Sequence, residues 1–535
     1  MRNTARLHLW ALFICWLMSS PIWSAQVPAT KPVDLTARLE LLIAQLGDED
    51  PQARRKASIL LKNVPLAAYP AVQQVLDTRD DLEPEIRSRL TSIRQTLGAL
   101  VARSNRLRAI RQWDIQSSLE AYEKFGERDQ KWDASVRRAI ALQADARWMR
   151  QLPPPETRTV LNSAKAAGCT DPLFLLLSAT YARRTGDLDE HGAALLLSQA
   201  AKKIAKSDYP PERKCDVFAQ YGGLVGRSPG AWPDIRSADG DFYRRGAIDL
   251  FARVKGVPPA FLYDLAMTVL SAFDENSPPI FDMQHLWEAF DKVAPGSPYP
   301  LVFRGWCDVV MSKQRYWKNG KWDEQTNIEY RRKAEELFEK AYQMDRADGL
   351  AAAAAMEMAM PSRDGSPSDM PQETMEKWFK RAMEANPDNR DACSRKLRYL
   401  FALEGGDKEA IEFARECLAS ENWRGQLPNI LVEYHETMGN LAQDKVAYWA
   451  SPGVWPDVKT VLEGYLALYP GDLKIQSHCA KVAAQCSQWA EANRWFERLG
   501  DLPEVGVFGS MASYNYLKRK AARLANQRAT QPAGE

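Results

Sequence analysis

Two segments that contain histidine could bind a metal or transfer protons. His435 is followed by Glu, as at the start of a zinc-protease helix, but Gly439 stands where the second histidine must lie one turn later to share the metal. His478, Cys479 and Cys486 could also be ligands, but the two cysteines are seven residues apart on one predicted helix, about 10 Å by helical rise. These three groups alone cannot close a four-ligand zinc site, so buried structural cysteines are the favoured interpretation.

Other motifs also give little support to an enzyme. The sequence contains no Cys-x-x-Cys, no phosphate-binding Gly-x-x-x-x-Gly-Lys and no dinucleotide-binding Gly-x-Gly-x-x-Gly. Only five histidines occur among 535 residues, which leaves few imidazoles for acid–base work. We predict a non-enzymatic protein without a cofactor or a metal. A pair of carboxylates brought together in space is the open alternative, and it would make the chain a cell-wall-active hydrolase on a superhelical scaffold.

The first residues have the pattern of a secretory signal peptide. Arg2 and Arg6 precede an apolar run at residues 9–18, and small residues then lead to Ala25, the expected cleavage point. The run is shorter than the roughly 20 apolar residues of a membrane span, so a retained anchor is the alternative. We expect residues 1–25 to be removed and the mature protein to be exported to the periplasm or the extracellular space, without stable membrane insertion.

The charge balance argues against nucleic acid as a partner. The chain has 71 Lys and Arg against 69 acidic residues, and removal of the signal peptide takes away Arg2 and Arg6 and leaves 69 of each. An even balance gives no phosphate-neutralising surface. Seven cysteines remain after Cys15 is removed, so in an oxidising compartment at least one thiol stays free or pairs between chains.

A short pattern near the N-terminus occurs twice, 33 positions apart. Residues 48–57 and 81–90 share an acid, a proline at the same offset, and an arginine flanked by small or apolar residues. Each copy follows an amphipathic stretch, at residues 35–46 and 66–76, and a proline at that offset suits the first turn of a helix. The pattern predicts helix, short turn and helix, repeated twice.

These two copies resemble HEAT repeats over residues 35–97. The resemblance implies that Asp48 and Asp81 lie at inter-helix turns and contact the start of the next helix or a ladder arginine, Arg54 or Arg87. An ordinary four-helix segment is the alternative. Since two repeats bury little by themselves, we expect them to dock on the residues that follow.

Three later segments share the spacing of paired helices. Residues 334–341, 375–387 and 480–499 each combine small residues with an aromatic three or four positions away, such as Phe338. Small residues let paired helices approach, and the aromatic fills the space between successive pairs. The segments resemble degenerate tetratricopeptide repeats over about residues 325–505. Unrelated helical hairpins with the same packing are the alternative.

A longer block, from Gly305 to Met438, is similar to a bacterial family known only as domain of unknown function 4034. It departs from that family at residues 401–406, where a turn containing Trp is expected. The similarity implies helical structure and supplies no catalytic residue. It rests on residues 376–383, 386–389, 396–400 and 413–417.

The fold class that follows is all-α, an α-solenoid of helical hairpins with a HEAT-like N-terminal part and a tetratricopeptide-like remainder. Segments rich in Pro and Gly, such as residues 209–241, are expected to interrupt it. Asn319-Gly320 has the dipeptide of a hairpin turn, but we expect a loop between helices there. The expected regions are a signal peptide (1–25), HEAT-like repeats (26–98), an irregular helical-repeat region (99–300), a tetratricopeptide-like core block (301–450), and C-terminal hairpins with a polar tail (451–535).

Basic residues form the candidate binding site. In a tetratricopeptide hairpin the second, fifth, ninth and twelfth residues of the first helix line the inner face. A repeat that starts at Arg390 places Arg398 ninth, and one that starts at Leu473 places Lys474 second and Lys481 ninth. Cations in a groove favour an acidic peptide or a C-terminal carboxylate. Solvated surface charges are the alternative interpretation.

Aromatic residues and one cysteine pair complete the candidates. Trp317 and Trp322 flank a loop and are predicted to be an exposed aromatic pair, whereas Trp378 and Trp495 each precede a packing Phe and are predicted to be structural.

Cys393 and Cys417 lie the same distance from Gly405, so an antiparallel helical hairpin would bring them to one level. We expect contact between them. A disulfide would also require suitable bond vectors.

The sequence therefore predicts an exported α-solenoid that binds a protein or peptide through its concave surface, and the basic residues favour an acidic one. Two other classes stay open, the wall-active hydrolase and a structural spacer without a specific ligand. A hydrolase needs a converging pocket with perturbed carboxylates, and a binder needs a long groove.

Overall fold

A computed structural model gives the structure of most of the chain. It describes residues 35–148, 156–185, 188, 190–227, 237–270, 280–312, 317–318, 321–322, 324–360, 372–403 and 405–530. The predicted signal peptide at residues 1–25 lies outside them. The all-α prediction is confirmed, since the described residues are helices and turns except for one pair of two-residue strands.

The described residues form two compact units. The central unit runs from Arg103 to Thr374, and the terminal unit combines residues 35–102 with the chain from Met375 onward. The terminal unit therefore draws on both ends of the sequence. Within the described ranges, no helix combines enough length with enough apolar character to cross a membrane.

The N-terminal part of the terminal unit consists of helices arranged as the repeat pattern predicts. Pro51 and Pro84 each stand at the first position of a helix, where the missing N–H has no helical partner. The fourth helix continues through residue 98, where a region boundary was expected, and enters the central unit. The helices are α1 (Leu35–Leu46), α2 (Pro51–Lys62), α3 (Tyr69–Thr78, preceded by a 3₁₀ turn at Leu66–Ala68) and α4 (Pro84–Phe125).

The two repeat acids lie at inter-helix turns, and Asp48 has the predicted contacts with the start of the next helix and with Arg54, whereas Asp81 has a different partner. Asp48 accepts the N–H of Asp50 at 2.9 Å, and it is Asp50 whose carboxylate caps α2. Asp81 binds Arg79 through both carboxylate oxygens, at 2.8 and 2.6 Å. The Asp81 expectation was wrong because Arg79 is two residues away and reaches the carboxylate without crossing the turn.

The two ladder arginines instead hold main-chain carbonyls of the preceding turn. Arg54 donates to the carbonyls of Asp48 and Glu49 at 2.6 and 2.9 Å. Arg87 donates to the carbonyls of Leu76 and Arg79. Helix C-termini and turns leave main-chain carbonyls without a hydrogen-bond donor. Arg54 and Arg87, 33 positions apart, each supply donors to such carbonyls.

The central unit is a succession of helices around one apolar core. Neighbouring helices pack in pairs, and the core extends from Ala121 to Met311. The elements are α5 (Asp133–Trp148), α6 (Glu156–Ala166), α7 (Pro172–Thr185), α8 (Glu190–Ala205), α9 (Pro211–Arg227), α10 (Ser237–Phe251), α11 (Pro259–Leu270), α12 (Ile280–Val293), α13 (Pro298–Ser312), β1 (Trp317–Lys318), β2 (Lys321–Trp322), α14 (Glu324–Met344) and α15 (Leu350–Ala355, followed by a 3₁₀ turn at Met356–Ala359).

The expected interruption at residues 209–241 was wrong over most of its described part. Helix α9 occupies residues 211–227 and includes both Gly222 and Gly223. The two glycines lower helix propensity, but Cys215 and Tyr221 on the same helix are fully buried in the core. Tertiary packing therefore outweighs the local preference.

The expected loop between helices at residues 317–322 was also wrong. Strands β1 and β2 pair antiparallel, with Trp317 opposite Trp322 and Lys318 opposite Lys321. The Asn-Gly dipeptide between them favours this kind of tight turn. The exposure of the two tryptophan side chains lies outside what the structure describes.

The remainder of the terminal unit begins at Met375, within the helix Gln372–Ala385, and its described part runs to residue 530. Its small and aromatic positions are buried as the tetratricopeptide-like spacing predicts, among them Ala480, Ala492 and Phe496. Trp378 and Trp495 are buried as well. The helices are α16 (Gln372–Ala385), α17 (Arg390–Ala402), α18 (Asp407–Ala419), α19 (Asn429–Leu441), α20 (Lys445–Trp449), α21 (Val454–Leu468), α22 (Leu473–Gln485), α23 (Trp489–Leu499), α24 (Val505–Phe508) and α25 (Met511–Thr530).

The N-terminal helices contact the loop after α18. Arg424 binds the Asp388 carboxylate with two nitrogens, at 2.7 and 3.2 Å, and its third nitrogen donates to two carbonyls at the end of α2. The Asn63 side chain accepts the main-chain N–H of Arg424 at 2.8 Å and donates to the carbonyl of Glu421 at 2.9 Å. We call Asn63, Asp388, Glu421 and Arg424 the Arg424 clamp.

Candidate functional site

The predicted basic residues lie on the first helices of two hairpins in the terminal unit, Arg398 on α17 and Lys474 and Lys481 on α22. α17 packs on α18, α19 on α21, and α22 on α23, and each hairpin also contacts the next. Two of the first helices are held by side-chain caps. Asn389 accepts the N–H of Ala392 at 3.2 Å, and Asp472 accepts the N–H groups of Lys474 and Ile475 at 3.0 Å. The caps fix where Arg390 and Lys474 emerge from their helices.

Helix α22 carries three titratable side chains on one face. Lys474, His478 and Lys481 are spaced by four and three residues, which places them side by side. All three are half-buried. Burial lowers the pKa of Lys474 to about 8, Glu504 opposes that shift, and the Arg390 charge adds to it. Arg390 of α17 therefore lies close enough to act on α22.

The pKa of His478 shows that its surroundings are predominantly positive. Its pKa is lowered well below the usual value, first by burial and then by the charges of Lys481, Lys474 and Arg390. Three cations thus act on one imidazole. We call Arg390, Lys474, His478 and Lys481 the basic face.

Acidic groups on α19 balance the basic face only in part. Glu433 is bound to α17, since Ser394 Oγ donates to its carboxylate at 2.8 Å and Arg390 approaches it at 3.4 Å. Glu436 is half-buried, burial raises its pKa, and Lys481 opposes that shift. Among the described residues no ion pair of Lys481 within 4.0 Å is found.

The structure brings together two of the three predicted groove residues. Lys474 and Lys481 share the basic face, whereas Arg398, half-buried on α17, is not among the main charges acting on Lys474 or His478. Arg390 was missed, although it is the first residue of the helix that carries Arg398. It was missed because the repeat numbering assigns no groove position to the first residue of a helix.

His435 has a structural environment. Its Nδ1 lies 2.9 Å from the Tyr448 hydroxyl and its Nε2 lies 3.3 Å from Asp457, and burial lowers its pKa against the effect of the Asp457 hydrogen bond. A Cβ at Gly439 would come within 2.6 Å of the Trp449 indole nitrogen. A second zinc-binding histidine has no room at that position.

One buried acid bears on the hydrolase alternative. Burial raises the pKa of Asp308 in the central unit to about 6, against the charges of Arg304 and Lys333. A glycoside hydrolase uses two carboxyl groups that flank the scissile bond. The charges that act most strongly on Asp308 come from those two cations, and no second carboxylate is among them.

One motif was missed in the sequence. Gly226-Arg227-Ser228-Pro229-Gly230 has the Gly-x-Ser-x-Gly spacing of a nucleophile elbow, in which the serine lies on a sharp turn from strand to helix. Here Gly226 and Arg227 are the last residues of helix α9, and Ser228 lies outside the described residues. A nucleophile elbow requires a strand before the serine, and here a helix precedes it, so the motif lacks its required structural context.

Comparison with known proteins adds no relative. No family model matches the sequence, and no curated protein matches it. The resemblances to HEAT repeats, to tetratricopeptide repeats and to domain of unknown function 4034 therefore stay predictions. The function has to be argued from the chemistry of the basic face.

Proposed function

We propose that the protein binds an acidic segment or the C-terminal carboxylate of a partner protein through the basic face. The observation that carries this proposal is Lys474, a half-buried lysine at the start of α22 whose pKa is lowered to about 8 by burial and by Arg390. An anion bound beside Lys474 would favour its charged form and so oppose the lowering of its pKa by burial and by Arg390. It would gain charge-assisted hydrogen bonds, which are about twice as strong as neutral ones.

The position of the cations supports a ligand role. Arg390 is the first residue of α17 and Lys474 is the second residue of α22. Cations at helix N-termini are unfavourable because the helix dipole is positive there. Cations that destabilise the free protein are expected where a bound anion is the compensating group.

The compartment is part of the proposal. The pattern of residues 1–25 supports export, so the partner would be an envelope or extracellular protein. A wall-active hydrolase is the less favoured alternative, because it requires two opposed carboxylates and Asp308 has cationic neighbours. A structural spacer is the remaining alternative, and it predicts no ligand at all.

Calorimetric titration with two synthetic peptides tests the binding role. One peptide is rich in Asp and Glu with a free C-terminus, and its control carries Asn and Gln with an amidated C-terminus. We expect only the acidic peptide to bind, with an affinity that falls as salt is added. Lys474→Met and Lys481→Met should each weaken binding by about tenfold.

The matched control is Lys408→Met in the same unit. Lys408 lies on α18 with 84% of its side chain exposed, so its loss should leave peptide affinity unchanged. Equal binding of the two peptides, or equal affinity of all three variants, would refute the acidic-ligand proposal. Absence of any binding by both peptides would favour the spacer.

A further inference from the structure

Two buried thiols meet between helices α17 and α18. Cys393 and Cys417 are 1% and 5% exposed and lie on the packed helices α17 and α18. The Cys393 sulfur lies 3.9 Å from the sulfur of Met383. Cys417 is the largest influence on the pKa of Cys393, so the two thiols are neighbours, as the sequence predicted, and both are free in the structure.

The hairpin explains why the two thiols meet. Gly405 lies in the turn with a φ of 71°, a conformation that glycine adopts without strain. The cysteines are equally far from it along the chain. Packed helices with axes about 8–10 Å apart bring facing Cβ atoms toward the separation that a disulfide needs.

The other described cysteines lack this arrangement. The groups that act most strongly on their thiols are carboxylates, cations and the apolar surroundings, and none is a second cysteine. The five are Cys169, Cys215, Cys307, Cys479 and Cys486, all of them buried.

We propose that Cys393 and Cys417 form a disulfide in the exported protein. The oxidant is a disulfide, either of a protein or of a small molecule such as oxidised glutathione. Each cysteine loses one proton and the pair loses two electrons as the S–S bond forms, and the oxidant's disulfide is reduced to two thiols. This inference rests on the proposed export but not on the proposed peptide binding.

The bond forms before the hairpin is fully packed. Exchange requires a thiolate with access to the oxidant, and in the folded chain both sulfurs are almost completely covered. The hydrogen bond with Cys417 and burial also raise the pKa of Cys393. Oxidation during folding therefore precedes burial, and the disulfide then joins α17, which carries Arg390, to α18.

A tryptic map without reductant tests the pairing. The full chain is expressed with its own leader, and a second sample without residues 1–25 is made in a reducing cytosol, unfolded, and refolded with oxidised and reduced glutathione. We expect peptide 391–395 linked to peptide 416–424, with a mass about 2 Da below the sum of the two free peptides. Cys479 and Cys486 fall in the separate peptides 475–481 and 482–494, so a wrong pairing is distinguishable.

Thermal unfolding gives a second readout that does not depend on the map. Reductant should lower the melting temperature of the oxidised protein and of Cys479→Ala, but not that of Cys393→Ala. Free Cys393 and Cys417 in refolded, folded protein would overturn the proposal. Linkage only after refolding with glutathione would confirm the pairing and place the error in the proposed export.

Discussion

The two units place their charged side chains in opposite ways. In the core of the central unit, Arg213 is 3% exposed and donates to Asp114 at 2.7 Å. Arg147 binds Asp216 at 2.7 Å and Asp264 at 2.6 Å. In the basic face of the terminal unit, by contrast, the nearby carboxylates do not offset burial. The pKa of Lys474 is lowered despite Glu504, and three cations lower the pKa of His478.

The arginines of this central network, Arg147 and Arg213, also contact an aromatic ring. Arg147 and Arg213 lie 4.8 and 5.4 Å from the centre of the Phe261 ring, within the range of cation–π attraction. Burial opposes ionisation of Asp114, but the charges of Arg213 and Arg147 and a hydrogen bond from Trp148 outweigh it and lower its pKa. In the central network Arg213 pairs with Asp114, and Arg147 pairs with Asp216 and Asp264. Such pairing of opposite charges is what a buried structural network requires.

Structural and functional charges in this protein can be distinguished by the groups that surround them. A buried cation with carboxylates at hydrogen-bond distance stabilises the fold only as long as both partners are present. A half-buried cation whose loss of hydration is not offset by its acidic neighbours costs stability in the free protein. Mutations should therefore have opposite signs in the two units.

The largest expected effect is that of Asp114→Ala in the central unit. It leaves Arg213 buried beside an empty partner position, and we expect a loss of about 3–5 kcal/mol in the free energy of unfolding. Chemical denaturation followed by circular dichroism measures it. Glu120→Ala, an exposed acid on the same helix, is the control and should change stability little. Equal losses in the two variants would mean that the central network is not structural.

Arg424→Ala should have the next largest effect. It removes the bidentate contact with Asp388 and two hydrogen bonds to carbonyls at the end of α2, so we expect a loss of about 2–3 kcal/mol. Hydrogen exchange should increase most in α1 and α2. This prediction extends the comparison, because the Arg424 clamp is a paired charge inside the terminal unit.

The control is Arg415→Ala, whose side chain is 60% exposed and pairs with Asp457 at 3.3 Å. Exposed pairs contribute little, about 0–1 kcal/mol. If both arginines gave the same small loss, the N-terminal helices would not depend on the Arg424 clamp.

Lys474→Met should stabilise the protein. The lysine has a folded-state pKa of about 8 against 10.5 in the reference state, so at pH 7 its charged form costs roughly 1–3 kcal/mol. Between those two pH values the unfolded chain binds one more proton than the native chain, and the stability of the wild type should rise with pH. The advantage of the variant should therefore shrink from pH 8 and disappear near pH 10.5.

Denaturation at pH 7, 9 and 10.5 measures this effect. Lys408→Met, which removes an exposed lysine, should show no such pH dependence. Destabilisation by Lys474→Met at pH 7 would show that Lys474 belongs to a satisfied network like that of the central unit, and the contrast between the units would be lost.

Local patterns in the sequence predicted the helices well where turns are strongly marked. An antiparallel helical hairpin was expected about Gly405, and α17 (Arg390–Ala402) and α18 (Asp407–Ala419) form it. The asparagine cap and Gly405 define its ends. At α9 the same approach was wrong, because Gly222 and Gly223 were read without the burial that outweighs them.

The candidate site was less accessible to sequence analysis. Lys474 and Lys481 follow from helical periodicity on a single helix. Arg390 joins them only because its charge acts on Lys474 and His478 across 84 and 88 residues of sequence, and no local pattern encodes that proximity. The Arg424 clamp could not be predicted from local sequence patterns, since Asn63 and Arg424 are separated by 361 residues.

The smallest expected effect is that of Lys481→Met on the titration of His478. Lys481 is the strongest of the charges that, after burial, lower the His478 pKa. Its removal should raise that pKa by roughly half a unit, while Lys408→Met should leave it unchanged. NMR titration of the imidazole Cε1–H resonances measures the pKa, and the His478→Gln variant identifies the signal. An unchanged His478 pKa in Lys481→Met would mean that the cations of the basic face do not act on one another, and the terminal unit would then resemble the central unit in having its charges matched locally.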